Sequence, residues 1–330
     1  MPEPNGPSST DAQKVQKRRI APDEAGQRVD NFLLKVLKGV PKTHIYKILR
    51  SGEVRVDGRR VKPSDRLEEG DLVRIPPIRT RREADIRPQA GLIERLLKAV
   101  IFEDEDFLAV NKPVGIAVHG GSGVSSGVVE QLRLGLQLPR LELVHRLDRG
   151  TSGCLLLAKR RKSLQMAQAA FRQRAVKKRY LAQVWGHWPE ELRVIQHRLE
   201  RYTTQSGERR VRVSHQGQPA RTDFEVVARS PHATQLKIAL HTGRTHQIRV
   251  HAAHSGFPLV GDDKYAHHQP PAYRLALHAQ RLVLQLPDRA LRLEAPTGEA
   301  WSKLWSLLCQ ETLPSLEADL VEQVKQRNHR

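Results

Sequence analysis

Cysteine is nearly absent from this chain. Cys154 and Cys309 are the only two, too few for a disulfide framework and too few for a structural zinc site without histidine or acidic help. That usage fits a reducing cytoplasm, which is the expected location. Long apolar runs are missing as well. No stretch of about 18 apolar residues occurs, so no membrane-spanning helix is expected. Met1 to Arg19 is rich in Pro, Ser and Gly and lacks the apolar centre of a signal peptide. Aromatics supply 5% of the residues, so the core has to rest on Leu, Val, Ile and Ala. Acidic residues are outnumbered: 36 Asp and Glu face 56 Lys and Arg, for a formal charge of +20. Such an excess attracts polyphosphate, because each neutralised phosphate releases condensed counterions. A nucleic acid is therefore the expected partner. No protein partner is implied, and a monomer is expected.

The 330 residues leave room for one large domain and a small satellite. Residues 1–20 read as a disordered basic arm. From 21 to 77 the pattern changes. Val29, Phe32, Leu33 and Val36 recur at helical spacing, Thr43 is a plausible cap, and Ile45, Ile48 and Leu49 mark a second helix. Val54 to Val56 alternates like a strand, Asp57-Gly58 is a hairpin signal, and Leu72 to Ile75 reads as another strand. Lys42, Lys47, Arg50 and Arg55 give this small unit a basic face suited to an RNA backbone.

Residues 78–98 are expected to be a linker. A larger domain is expected over 99–312, with a helical tail at 313–330. Phe107 to Val110, Cys154 to Ala158, Tyr180 to Trp185, Phe224 to Val227, Leu236 to Leu240, Leu282 to Leu284 and Leu291 to Leu293 are strand candidates. Helices are expected at 163–174, from Thr245 as cap to His254, and from Glu299, where Trp301, Leu304, Trp305 and Leu308 share a face. Strands cluster without strict alternation with helices. The expected class is α+β, with a mixed, mainly antiparallel sheet flanked by helices.

The segment richest in chemistry is His145-Arg146-Leu147-Asp148-Arg149-Gly150-Thr151-Ser152-Gly153. If it is extended, Arg146 and Asp148 point the same way, because strand side chains alternate with period two. Taken alone, the segment reads more readily as a structural ion pair at a strand end. A second segment, Thr242 to His251, gathers Arg244, His246, Gln247 and Arg249 around an expected helix start, where anions are favoured. Arg249 could pair with Asp148 across the fold and hold it ionised. No His-Glu-x-x-His pattern occurs, and no metal is expected. Cys154 heads an apolar run and reads as a buried structural thiol. Arg209-Arg210-Val211-Arg212, after Ser206-Gly207, reads as a basic hairpin that either touches RNA or is simply charged.

Together these segments resemble the pseudouridine synthase family of the ribosomal large-subunit type. The resemblance rests on His145 to Gly153, Lys178 to Ala182, Gly243 to Arg249, Val260 to Tyr265 and Asn111-Lys112-Pro113, in that family's order. The loop Ala117 to Gly123 is most similar to one branch of it, and Ala266 departs from a common Gly. Arg28 to Leu33 and Ser51 to Gly58 resemble the S-four-type RNA-binding domain. The resemblance implies an isomerase that flips chosen uridines of 23S ribosomal RNA and converts them to pseudouridine, without a cofactor. It implies Asp148 as nucleophile, Tyr180 against the flipped base, and Arg249 holding the carboxylate. Arg146 would fill the vacated stack, and Leu277 would wall the pocket. His145, Arg244, His246 and Gln247 are the expected RNA or substrate contacts. Rival readings are a sister enzyme acting on transfer RNA or another ribosomal helix, a non-catalytic ribosome-assembly factor, and a two-carboxylate hydrolase pairing Asp148 with Asp262 or Asp263.

Overall fold

Two amphipathic helices and four short strands build the first of two units, residues 1–85; the second spans 86–330. The structure is a computed structural model that describes residues 15–37, 40, 42–77, 88–120, 126–266 and 274–311. The first unit runs β1 (Gln16–Arg19), α1 (Val29–Val36), α2 (Lys42–Arg50), β2 (Arg55–Val56), β3 (Arg59–Arg60) and β4 (Leu72–Ile75). Phe32, Leu33, Ile45, Ile48, Leu49, Val54, Val73 and Ile75 form its core. The β2–β3 hairpin turns through Asp57 and Gly58, both at positive φ (49° and 78°), as a tight two-residue turn requires. Thr43 is not the cap, because α2 already begins at Lys42.

The expected disordered arm needs correction. Gln16 to Arg19 pairs antiparallel with β4, from Gln16 opposite Ile75 to Arg19 opposite Leu72. All four side chains are exposed, so there is no alternation to read. The strand is held by its backbone on the open edge of β4. Residues 1–14 lie outside the described residues.

Asp30 explains one motif of this unit. It is buried in the first turn of α1, takes a two-pronged contact from Arg28 (3.1 and 2.7 Å), and accepts from the Tyr46 hydroxyl (2.9 Å) and the Asn31 backbone N–H (2.8 Å). The Arg28 hydrogen bond leads in lowering its pKa below the usual carboxylate range. Ile45, Ile48 and Leu49 turn inward from α2, which leaves Lys42, Lys47 and Arg50 exposed, as is Arg55 on β2.

The second unit runs α3 (Ala90–Lys98), β5 (Val100–Glu103), β6 (Phe107–Lys112), α4 (Val128–Leu136), β7 (Glu142–Leu143) and β8 (Ser152–Ala158). It continues with α5 (Arg161–Arg172), β9 (Val176–Trp185), β10 (Val194–Thr203), β11 (Arg209–Val213), β12 (Gln218–Arg229), β13 (Ala233–Leu240) and α6 (Gln247–His254). It ends with β14 (Leu277–Gln285), β15 (Ala290–Glu294) and α7 (Glu299–Leu308). The expected linker thus contains α3, a helix whose Leu96 is fully buried against Leu108, Val128 and Leu132. Leu92 and Leu96 are one turn apart, an i,i+4 signal easily hidden by the charged stretch before it. Residues 78–87 of that linker and the expected tail at 313–330 lie outside the described residues.

An eleven-stranded sheet runs β11-β10-β12-β13-β9-β14-β8-β6-β5, with β15 added to β14 and β7 to β8. Every pairing is antiparallel except that of β14 with β8. This is the α+β architecture anticipated from the sequence. Helix α5 lies against one side of β8 through Leu164, Ala167 and Ala170. Helix α4 lies against the other through Val128, Val129 and Leu132.

The parallel contact positions the site. Ser152 and Gly153 register with His278 and Ala279. Gly153 has φ +108°, and a Cβ there would sit 2.3 Å from the Ala279 carbonyl oxygen. Glycine alone allows β8 and β14 to approach so closely directly after the loop that carries Asp148.

Candidate active site

The loop between β7 and β8 carries the alternation that the sequence suggested. Leu147 is buried among Leu132, Leu141 and Leu155, Arg146 is exposed, and the Asp148 side chain keeps 36% of its surface. Arg146 and Asp148 open into one cleft of about 580 Å³, which Arg201, Tyr202, Arg209, Arg210, Arg244 and Thr245 also line. The basic hairpin is β10–β11, and it forms a wall of this cleft. Tyr202 faces Arg210 in register across it. Arg201 and Tyr202 were missed in the sequence, because β10 (VIQHRLERYT) shows little polar–apolar alternation.

His145 does not face the cleft. Its ring stacks on Phe171 (centroids 5.4 Å apart, 22° between planes), and its Nε2 accepts the Leu156 backbone N–H at 3.1 Å. The expected RNA contact is therefore a structural one, forced by the same alternation that turns Arg146 outward. Burial pushes the His145 pKa down to about 4. The unfolded imidazole takes up its proton below about 6.5. Since the folded one does so only near 4, stability is lost as pH falls through that window. We expect the His145 ring signals in NMR to stay those of a neutral imidazole above pH 5, while the melting temperature declines from pH 7 to 4. A ring that titrates near 6.5 would show that the inward placement is wrong.

Gln247 is corrected in the same way. It is buried, and its amide is spent on the protein. Oε1 accepts from the Arg244 backbone N–H (3.0 Å) and the Thr242 hydroxyl (2.7 Å), and Nε2 donates to the Arg221 carbonyl and Thr222 Oγ1 (both 2.9 Å). It ties the β13–α6 turn to β12. His246, rather than Thr245, is the N-cap of α6, with a left-handed backbone (φ 53°). Thr245 Oγ1 instead accepts from Arg201 at 2.6 Å.

Arg249 makes a different pair from the one expected. Its guanidinium forks onto Asp262 (Nε–Oδ2 2.8 Å, Nη2–Oδ1 2.5 Å), reaches Asp263 at 2.9 Å, and lies 5.2 Å from the Tyr265 ring centroid. Arg249 and Asp262 are 4% and 2% exposed, so the segment Val260 to Tyr265 is the arginine's own counter-charge. Asp148 acts on Arg249 only as a more distant charge. Among the described residues, the basic side chain within 4 Å of the Asp148 carboxylate is the His246 imidazole, with Nε2 3.9 Å from Oδ2. The two-carboxylate alternative loses its second acid, because Asp262 is fully engaged with Arg249, Asp263 meets the same guanidinium, and neither lines the cleft that Asp148 opens into.

Tyr180, on β9, joins the apolar cluster that contains Leu277, Ala182 and Leu236. Burial, then the charge of Asp148, raises its pKa, so the phenol stays protonated. Leu277 itself is 4% exposed. Arg244 lines the cleft and donates to the Pro219 carbonyl at 3.2 Å. Cys154 is buried, and burial pushes its thiol up to about 12. That is no nucleophile at neutral pH.

Lys112 was part of a motif without a role. It is fully buried at the end of β6, and its Nζ donates to the carbonyls of Pro113 and Ile116 (both 2.9 Å) and Arg149 (3.3 Å). Burial lowers its pKa to about 7, and Asp148 pulls the other way. It clasps the backbone immediately after Asp148. The loop from Ala117 is described only through Gly120, so residues 121–125, which carry part of the expected branch signature, lie outside the described residues.

An electropositive cleft with one accessible carboxylate, cut into a mixed sheet, is the arrangement of an enzyme that handles RNA. A family model described as RNA pseudouridylate synthase matches residues 106–254, and the S4 domain matches residues 27–73. The chain is 47% identical over 294 residues to the ribosomal large subunit pseudouridine synthase C of Yersinia pestis, covering 86% of this chain and 92% of that protein. It is 46% identical over 304 residues to the protein of the same name from Escherichia coli (strain K12), covering 88% and 95%. Among solved structures it is similar to human RNA pseudouridylate synthase domain containing 4 (25% identity, TM-score 0.54, 64% of this chain and 93% of that one). Human RNA pseudouridylate synthase domain containing 1 gives 26% identity and a TM-score of 0.53 over 70% and 94%. The chain belongs to the RNA pseudouridylate synthase family.

Proposed function

We propose that this enzyme isomerises selected uridines of 23S ribosomal RNA to pseudouridine, acting as a cytoplasmic monomer with Asp148 as its nucleophile. The observation that carries this reading is the part-exposed Asp148 carboxylate in an arginine-lined cleft, in a chain nearly half identical to large-subunit synthases C. The reaction breaks the bond from ribose C1′ to uracil N1, turns the ring, and joins C1′ to C5. N1 gains a proton and C5 loses one, so atoms balance without redox chemistry or a group donor. The carboxylate attacks either the base at C6 or the sugar side, and both routes need it ionised and close to an extruded uridine.

Extrusion costs a few kcal/mol. Stacking against an aromatic ring such as Tyr180 returns about 1–3 kcal/mol, and the exposed Arg146 takes the gap in the stack. Arg249, paired with Asp262, acts on Asp148 only as a more distant charge rather than as a direct clasp. Arg244 and the β10–β11 arginines hold phosphates. Leu277 belongs to the apolar cluster against which Tyr180 packs. Lys42, Lys47, Arg50 and Arg55 grip structured RNA in the S4 domain. Phosphate contacts bind without choosing a sequence, so site choice comes from RNA shape.

The test is a map of pseudouridines over all cellular RNA in a strain lacking the protein. We expect a few 23S positions to lose the modification, wild-type protein to restore them, and Asp148→Ala to fail. Restoration by Asp148→Ala would remove the catalytic assignment. Losses confined to transfer RNA would remove the ribosomal one.

A further inference from the structure

The geometry points to His246 as the residue that positions the Asp148 carboxylate, with the Tyr265 hydroxyl fixing the imidazole tautomer that does so. This rests on the reading of Asp148 as nucleophile. Tyr265 Oη lies 3.0 Å from the Val211 backbone nitrogen, whose N–H it accepts. Its own proton is therefore free to donate, and His246 Nδ1 stands 2.7 Å away. A tyrosine has a single hydroxyl proton, and a neutral imidazole has one donor and one acceptor nitrogen. With Nδ1 accepting, the ring proton sits on Nε2, the nitrogen that faces Asp148 Oδ2 at 3.9 Å.

The result is a chain from backbone to nucleophile: Val211 N–H to Tyr265, Tyr265 O–H to His246, His246 N–H toward Asp148. The last link is longer than a hydrogen bond, as catalytic links often are before substrate binds. One oxygen of Asp148 held this way leaves the other for the uridine.

Two observations favour a neutral donor over a charged one. The His246 side chain keeps only 13% of its surface. Burial leads in lowering its pKa, and Arg249 and Lys264 act in the same sense, against Asp148 and Asp262. The placement of the ring, as distinct from its charge, is marked by a left-handed backbone, φ 53°; such a conformation is costly for a residue with a side chain and persists where the surroundings dictate it.

The chain also reaches the RNA-facing wall. Val211 lies on β11, and Arg210 beside it donates to the Lys264 carbonyl at 2.9 Å, while Glu208 pairs with the Lys264 ammonium. The hairpin that lines the cleft is thus the anchor of the tyrosine that orients the histidine.

The experiment uses a full-length 23S rRNA transcript tritiated at uridine C5, which releases tritium to water when C5 is substituted. His246→Ala and Tyr265→Phe are each expected to lower kcat about tenfold or more with KM within about twofold. The Phe variant keeps the ring under Arg249 and removes only the hydroxyl. His246→Gln, whose amide N–H can stand in for Nε2–H, should recover part of the rate. The double variant should be no slower than His246→Ala, because the two residues act in series. Nitrogen-15 NMR of the wild-type ring should report the Nε2–H tautomer, a readout that needs no variant to fold.

A raised KM with unchanged kcat in His246→Ala would make the residue an RNA contact and overturn the proposal. So would additive losses in the double variant, or an Nδ1–H tautomer. Asp148→Ala separates the two levels. If it turns over normally, the nucleophile itself is misassigned. If it is inert while His246→Ala runs at full rate, only the positioning role fails.

Discussion

Asp148→Asn should abolish turnover while leaving RNA binding intact. The substitution keeps the size and one oxygen of the side chain but removes the charge that attacks. We expect kcat to fall at least about 1,000-fold, equivalent to about 4 kcal/mol of transition-state stabilisation. RNA affinity should hold within a few-fold, because the electropositive lining is retained. Tritium release in single turnover gives the rate, and filter binding at fixed salt gives the affinity. Losing a negative charge beside five cleft arginines (Arg146, Arg201, Arg209, Arg210, Arg244) makes the cleft more positive, so any change in RNA binding should be a slight tightening. A variant that turns over within tenfold of wild type would sink the assignment, and one that neither binds nor folds would be read through its melting curve.

The second large effect is on stability. Asp262→Ala should destabilise the catalytic domain by about 3–5 kcal/mol, because it strands a buried charge. Arg249 is 4% exposed and loses the carboxylate that it grips by two nitrogens. Asp263 cannot take over, since its side chain is 81% exposed and meets the guanidinium through one oxygen. Two backbone donors, Lys264 N–H and Tyr265 N–H, lose their acceptor as well. Urea unfolding measures the loss. The double change Arg249→Met with Asp262→Leu should recover part of it, because it removes both charges together. A single-variant cost under about 1 kcal/mol would mean that water reaches the pair after all.

Much of this was legible in the sequence, and the boundary falls at a definite place. Period-two and period-3.6 patterns located α1, α2, β8, α5, β9 and α7, because those segments bury one face or both, and the Asp57-Gly58 turn signal located the largely exposed β2–β3 hairpin. The same alternation put Arg146 and Asp148 on one side of their loop. Strand β1 carried no pattern, being an exposed edge, and β10 and α4 were passed over because charged residues interrupt their apolar positions. The partners of single side chains were less legible. Arg249 was assigned to the wrong acid, His145 and Gln247 to RNA, and Lys112 to nothing. In each case the deciding partner lies far along the chain or on the backbone: Asp262 for Arg249, Leu156 for His145, the Arg149 carbonyl for Lys112. Residue spacing reports which side chains share a segment. It does not report which distant segment folds over them.

The position of β11 at the end of the eleven-stranded sheet has a consequence beyond substrate recognition. A terminal strand offers unpaired amides and carbonyls to any other strand that drifts by, the usual opening for self-association and fibre growth. Here Tyr265 already takes the Val211 amide, and the rim carries Arg209, Arg210 and Arg212 within five residues. Two copies meeting rim to rim would set like charges against each other, whereas a polyanion would be welcomed. One set of guanidinium groups can therefore keep a strongly cationic protein dispersed and still leave its border open to the one kind of polymer it works on.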